Sequence, residues 1–358
     1  MAAPEQQIRF PNREEILEDT THLIVYRGRT KFNITAQHAL IASTDFYKKY
    51  EQDTLRHYDY LKRSFSGATM NEPHMPPERL IETLLLPVSI RLAPNPSIRG
   101  LSIQELVVAP TYALELVAGA GAGGSEHEDV RFIGEENVTY GPNYHISPLP
   151  LQDLPPSCRD TNTPHVDASH VRIAPTEENA EGRRVHTPQG KVFLEDGTAR
   201  YFKPRRVAVD FGREVEILGH LWRLRGGEVR TSYMTEIVVA GDMVVGFLLE
   251  MIPGGYPIMD KRAWEDPISC KKWEEQVKKT VEVLHANDLV WGDVNPGNVV
   301  IDGHGDAYII DFGGFYNQAF VPEELRETKE GDLHGVKRLF EDWLPTRRRD
   351  VHLSAGCF

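Results

Sequence analysis

Apolar positions along the chain are weakly ordered in its first half and sharply periodic in its second. KVFLE and TARYFKP flank Asp196-Gly197, a pair that readily takes the positive φ of a tight turn. Two antiparallel strands are therefore expected to meet there, the second ending near Lys203. A helix follows over FGREVEILGHLWRL. TEIVVA and MVVGFLLEMI read as two further strands joined at Gly241-Asp242. A second long helix is expected from about Ser269 to Ala286, because Trp273, Val277, Val281 and Leu284 recur on one face. LVW, NVVID and AYIID then read as three short strands separated by polar loops.

The first half gives a looser pattern. Residues from Arg13 to about Ser66 show patchy helical periodicity, broken by Pro73, Pro76 and Pro77, and predict one or two helices. TLLLPVSIRL, LSIQELVVA and YALELVA look like strands, being rich in aliphatic residues and divided by Pro and Gly. Gly119 to Gly124 satisfies G-x-G-x-x-G, but SEHEDVRF after it carries no helical apolar stripe, so the tract reads as a linker and not a dinucleotide site. Residues 141 to 190 are dense in Pro, Asn, Asp and Gly and read as a long connection. His165 and His170 lie within it as surface loop histidines without partner ligands at metal spacing.

Composition narrows the function classes. A chain of 358 residues with 40% hydrophobic content can bury a sizeable core and is expected to hold more than one domain. Its formal charge of -13 argues against a general polyanion binder, so no nucleic-acid partner is expected and a bound nucleotide would need a local site. Cys158, Cys270 and Cys357 have the spacing of neither a disulfide framework nor a zinc site, which suits a reducing compartment. With no apolar leader, membrane-span or prenylation pattern in view, the expectation is a soluble intracellular protein, cytoplasmic or nuclear, without a membrane partner.

Three polar residues interrupt the hydrophobic pattern of VWGDVNPGNVVIDGHGDAYIIDFGG. Asp293 and Asn298 stand five apart, and Asp311 follows Asp293 by eighteen. Each is expected just beyond a strand, which gathers two carboxylates and an amide at one end of a small sheet. Oxygen ligands of that kind suit Mg²⁺, which keeps water and substrate phosphates in its shell.

This stretch resembles the protein-kinase catalytic loop, H-R-D-x-x-x-x-N, followed by D-F-G at the same interval. Its wording is similar to that of protein-kinase-like proteins of filamentous fungi. The resemblance implies ATP and Mg²⁺ as cofactors, Asp293 as the catalytic-loop Asp, and Asn298 and Asp311 as metal and nucleotide ligands. It also implies a lysine at the end of the third small-lobe strand, where Lys203 stands, paired with a glutamate on the next helix. Two glutamates compete. At about 100° per residue, Glu214 falls among Ile217, Leu218 and Leu221, whereas Glu216 falls opposite them with Gly212 and Gly219. A carboxylate centred in an apolar face needs a buried cation, so Glu214 is expected to pair with Lys203. A solvated Glu214 on a slightly rotated helix and an ordinary strand-end Lys203 are the plainer alternatives.

By the same resemblance, backbone groups of Glu250 and Ile252 would receive the adenine edge, although any loop could begin with Pro253-Gly254-Gly255. Asp332 resembles the buried aspartate that braces the catalytic loop, and fits an N-cap equally well. His285 reads most simply as a capping or packing residue. The likeness covers roughly residues 185 to 345. It implies an α+β fold: a two-lobed kinase-like body with a small lobe at 166–252 and a shortened large lobe at 253–358, after an α+β accessory region at 1–165.

The sequence also departs from the family. EGRRVHTPQGKVF, ahead of Lys203, has no G-x-G-x-x-G. Trp291 and Gly292 replace His-Arg, and Asn295 stands in place of a common lysine. Gly-Asp followed by Pro-Gly-Asn is similar to aminoglycoside phosphotransferases. Only 18 residues separate Gly313 from Asp332, with no A-P-E. The surface that docks protein substrates is therefore expected to be missing or supplied by residues 1–165, which also offer a place for a protein partner. The functional expectation is phosphoryl transfer from ATP to a hydroxyl acceptor, a protein serine or threonine first. A nucleotide-binding pseudokinase scaffold and a small-molecule kinase are the alternatives.

Overall fold

The computed structural model describes residues 8–9, 20–48, 98–119, 130–134, 138–142, 146–154, 163–174, 188–206, 211–226, 229–266, 268–314 and 317–347. These residues form two compact units, one built from positions up to 142 and the other from position 146 onward.

In the first unit, strands β1 (Ile8–Arg9), β2 (Thr20–Arg27) and β3 (Thr30–Gln37) are followed by a four-residue helix, α1 (His38–Ile41). Helix α2 (Ile103–Val107) leads into β4 (Ala109–Ala118), β5 (Val130–Ile133) and β6 (Val138–Gly141). The sheet runs β1-β2-β3-β4-β5, with β6 also on β4 and only the β3–β4 pair parallel. Ile34 and Ala36 alternate on β3 and Leu114 and Leu116 on β4. All four are buried with Ile41, Phe46 and Val130 in one small core.

The expectation of helices between Arg13 and Ser66 is therefore corrected for residues 20–37, while residues 38–41 and 45–48 are helical. TTHLIVYR and TKFNITAQ pair in register as a hairpin around Gly28, whose φ is 52°, and their β-branched and aromatic residues favour that pleated surface over a helix. LSIQELVVA is corrected the other way. Ser102 accepts from the Glu105 amide while the Glu105 carboxylate accepts from the Ser102 amide, a reciprocal cap that starts α2. YALELVA is a strand as expected. TLLLPVSIRL and all but Gly119 of the glycine tract lie outside the described residues.

The second unit opens with β7 (Leu149–Pro150), β8 (His165–Asp167), β9 (Arg172–Ile173), β10 (Gly190–Phe193) and β11 (Ala199–Pro204). Helix α3 (Phe211–Arg223) is inserted before β12 (Met234–Ala240) and β13 (Met243–Glu250). The sheet order is β8-β12-β13-β11-β10-β9, with β7 on β13 and β8 parallel to β12. The supposed connection at 141–190 thus contributes three short strands. His165 lies on β8 and His170 in the turn after it, both exposed. Their segment pairs through backbone groups, which leave no periodic apolar trace in so short a strand.

A second lobe follows: β14 (Tyr256–Pro257), α4 (Lys261–Glu265), α5 (Cys270–Ala286), β15 (Val299–Ile301), β16 (Ala307–Ile309) and α6 (Lys329–Lys337), continued by a π-helical segment, Arg338–Trp343. One hydrophobic core joins the lobes. Val215, Leu218 and Leu221 of α3 and Phe247 of β13 share it with Trp273, Val277, Val281 and Leu284 of α5. A seven-strand sheet whose central five strands, β12-β13-β11-β10-β9, are antiparallel and carry one inserted helix, set over a mainly helical lobe with a small hairpin, is the two-lobed kinase-like α+β architecture. No described helix is long and apolar enough to cross a membrane.

One expected strand is absent. Residues 289–291 form no ladder: the Trp291 amide donates to the Asp332 carboxylate and its indole N–H to the Ile310 carbonyl. A buried carboxylate thus satisfies backbone that would otherwise need a neighbouring strand.

Candidate active site

Helix α5 ends at Ala286 with Asn287 as its C-cap, and Asp288 takes a φ of 56°, a left-handed turn that stops the helix. The loop after it is fixed from below. Asp332, 1% exposed on α6, accepts from the Trp291 and Gly292 amides and from the His285 ring at 2.8 Å each. Thr328, not Asp332, caps α6, accepting from the Gly331 amide, so the bracing alternative for Asp332 is the one the geometry matches.

Beyond Gly292 the side chains turn on one another. Asn298 Nδ2 donates to the Asp293 carbonyl and to its Oδ2, both at 2.9 Å, while Asn295 Nδ2 donates to Asp293 Oδ1 at 3.0 Å. Asn295 also accepts from the Gly297 amide, which tightens the turn. The Asp293 carboxylate is therefore aimed by two amides. Burial pushes its pKa above the ordinary carboxylate range. The two amide donors oppose that, and Asp311 adds to it.

The β15–β16 hairpin carries the chain to Asp311, whose φ is 64°. That left-handed backbone is uncommon for a residue with a side chain. Here it accompanies contact with the other lobe, for Lys203 Nζ lies 2.8 Å from Asp311 Oδ1 and 2.6 Å from Glu214 Oε1. Glu214 is 2% exposed in the apolar stripe of α3, whereas Glu216 is exposed. Burial alone would lower the Lys203 pKa, but Glu214 and Asp311 overcome that and hold it up. Burial likewise raises the Glu214 carboxyl, against the pull of Lys203. Removing the ammonium would leave a carboxylate stranded in the core, a change that costs about 3–5 kcal/mol.

A cleft of about 320 Å³ between the lobes has Lys203, Glu214 and Asp311 at its polar end and Tyr201, Leu249 and Val300 among its walls. Glu250 and Ile252 line it too. Both backbone groups of Glu250 are already engaged, its N–H with the Tyr233 carbonyl and its C=O with the Ser232 hydroxyl, and the Ile252 carbonyl accepts from Gly255. A larger, open hollow of about 510 Å³ shares Glu250–Ile252 but contains neither Lys203 nor Asp311. Its arginines, Arg225 and Arg230, are paired with Glu250 and Asp306.

Sequence reasoning missed three contributors: Asn295 as a second donor to Asp293, and Arg213 with Glu327 beside Gly292. Asn295 stood in the motif and could have been found from its spacing. Arg213 and Glu327 are 114 positions apart and left no local signal. The expected magnesium calls for hard oxygen donors with room left for water. Among the described residues no three His, Cys, Asp or Glu side chains gather as a metal cage. Asp311 and Asn298 carry hard oxygen donors, the type that suits a cation bringing its own water and phosphate ligands.

No family model matches the chain. Two curated proteins of Arabidopsis thaliana are similar to part of it. Mitogen-activated protein kinase kinase kinase YODA is 27% identical over 113 residues, 31% of this chain and 12% of that protein. CBL-interacting serine/threonine-protein kinase 16 is 25% identical over 126 residues, 35% of this chain and 25% of its own length. The matched stretches thus span a quarter or less of these relatives. Among solved structures, the yeast RNA Pol II CTD kinase CTDK-1 complex aligns at 21% identity and a TM-score of 0.35, over 42% of this chain and 56% of that one. At that level the strand order and site geometry above, not the superposition, define the fold. The second unit is a two-lobed, protein-kinase-like α+β domain in a chain similar to protein kinases over about a third of its length.

Proposed function

We propose that the chain is an ATP- and Mg²⁺-dependent phosphotransferase acting on a hydroxyl acceptor, with a protein serine or threonine first among acceptors. The observation that carries this reading is Lys203 Nζ held between Glu214 Oε1 and Asp311 Oδ1 at the polar end of the cleft. A cation fixed there can orient nucleotide phosphates, and phosphoryl transfer asks the protein mainly for positioning and charge neutralisation. Asp293, aimed by Asn295 and Asn298, would accept or orient the proton of the attacking hydroxyl. Asp311 and the Asn298 amide oxygen would hold the magnesium that accompanies ATP, which supplies neutralisation at the phosphate oxygens. Glu250 and Ile252 line the cleft where an adenine would lie, but the Glu250 N–H is committed to the Tyr233 carbonyl and so is not the group that would receive the adenine edge.

A scaffold reading has its own observation in support. The sequence leading into β10 reads EGRRVHTPQG, without the glycine pattern that kinases use at the phosphates, and residues 181–187 of it lie outside the described residues. Wild type and Asp311→Asn should be compared for ATP consumption, autophosphorylation and Mg²⁺-ATP thermal shift. Turnover in wild type that is lost in the variant is expected. Equal background rates in both, with unchanged nucleotide binding, would replace the enzyme by the scaffold.

A further inference from the structure

Arg213 precedes Glu214 on α3, and its guanidinium reaches away from the Lys203 pair toward the loops beneath. It donates to the Phe312 carbonyl, to the Val290 carbonyl at 3.0 Å, and to Glu327 Oε2 at 2.8 Å. One side chain thus ties the helix that carries Glu214 to the residue after Asp311 and to the strand of chain that leads to Asp293. The pair is largely shielded, with 22% of the Arg213 side chain and 34% of the Glu327 side chain exposed. A planar fork that satisfies two carbonyls and a carboxylate at once is a task for arginine and not for lysine.

The space for this contact is made by Gly292. Its φ is 85°, and a Cβ added there would lie 3.0 Å from both Glu327 carboxylate oxygens and 3.2 Å from Arg213 Nη2. The residue before the catalytic-loop Asp is the one that the kinase pattern fills with arginine. Here that position is emptied, and a guanidinium enters from α3 instead. Its anionic partner is Glu327, a carboxylate built into the chain, whose own φ of 55° shows the backbone bent to present it.

We propose that Arg213, paired with Glu327 over Gly292, is a positioning residue that locks the Glu214 helix to the Asp293 and Asp311 loops, so that the site is assembled without any phosphorylated residue. This deepens the phosphotransferase reading and rests on it for its kinetic consequence. An anion near the cation is required in either design, but a carboxylate is permanent whereas a phosphate must be added and removed. On this proposal the Arg213–Glu327 lock holds the loops with no phosphate added.

The test uses the full-length protein with Arg213→Ala, Arg213→Lys and Glu327→Gln, read by amide hydrogen exchange over residues 289–298 and 311–314 and by steady-state kinetics. In Arg213→Ala, exchange in both loops should rise together and kcat should fall about 100-fold with KM for ATP unchanged, since loss of geometry is felt in the transition state. Arg213→Lys should recover part of kcat, and Glu327→Gln should fall between it and Arg213→Ala. Wild-type turnover should be unaltered by prior phosphatase treatment. Unchanged loop exchange in all three variants, or wild-type activity lost on phosphatase treatment, would overturn the proposal. Absence of wild-type turnover alongside coupled loop exchange would instead fell the phosphotransferase reading and leave the lock standing.

Discussion

Lys203 stands between two carboxylates, one buried and one at the cleft, and that asymmetry separates its structural and chemical duties. Lys203→Met should abolish nucleotide-dependent turnover and destabilise the second unit by about 3–5 kcal/mol, because Glu214 would lose its buried partner. Denaturant unfolding measures the second effect. The double variant Lys203→Met, Glu214→Leu should regain most of that stability while staying inactive, since the stranded charge is gone. Asp293 makes the pH prediction. Its raised pKa means that it takes a proton at a higher pH than an ordinary carboxylate, so the acid limb of kcat/KM should lie above the usual Asp range. The same direction has a thermodynamic sign. The folded protein binds the Asp293 proton where the unfolded chain has released it, so this group's contribution to stability is present below the unfolded pKa and lost as pH rises through the folded one. An acid limb at the ordinary carboxylate value would refute the assignment.

At the scale of elements, α6 does more than fill the lower lobe. Its cap positions Asp332, and Asp332 holds the loop that presents Asp293. Thr328→Ala should cost about 1 kcal/mol as a lost N-cap, and Thr328→Ser should not. Hydrogen exchange at residues 289–293 should report the loosening. Helix α5 is the other fixed element, with Leu284 fully buried under the loop. Leu284→Ala should cost about 2–5 kcal/mol as a cavity in a packed core. Circular dichroism on heating would show either effect, and a variant as stable as wild type would remove that element from the account.

The described residues fall into two units with separate cores, one around Ile34 and Leu116 and one joining both lobes of the kinase-like body. Calorimetry should therefore resolve two unfolding transitions. Mg²⁺-ATP should move only one of them, by about 2.7 kcal/mol of stabilisation at a hundredfold excess over Kd. Lys203→Met should erase that shift. A single transition moved as a whole would show that the units unfold together.

Residue patterning alone determined the β10–β11 and β12–β13 hairpins, the inward face of α3 that selects Glu214 over Glu216, and the apolar stripe of α5. In each, the element spans several repeats of about 2 or 3.6 residues, so a short window of sequence already carries its pattern. Asp293, Asn298 and Asp311 stood out because polar residues break an apolar run, yet only Asp311 follows a strand as expected, Asn298 preceding β15 and Asp293 lying in the loop. Tertiary structure decided the rest. Residues 289–291 are loop because the Leu289 amide returns to the Leu284 carbonyl and a carboxylate on α6 takes the Trp291 amide, β2 and β3 are strands because a sheet receives them, and β8 exists because β12 offers an edge. Arg213 meets Glu327 across 114 positions, and no local rule reaches that far. Contacts of that kind depend on where packing brings two distant segments, which is a property of the folded core and not of any window of the chain.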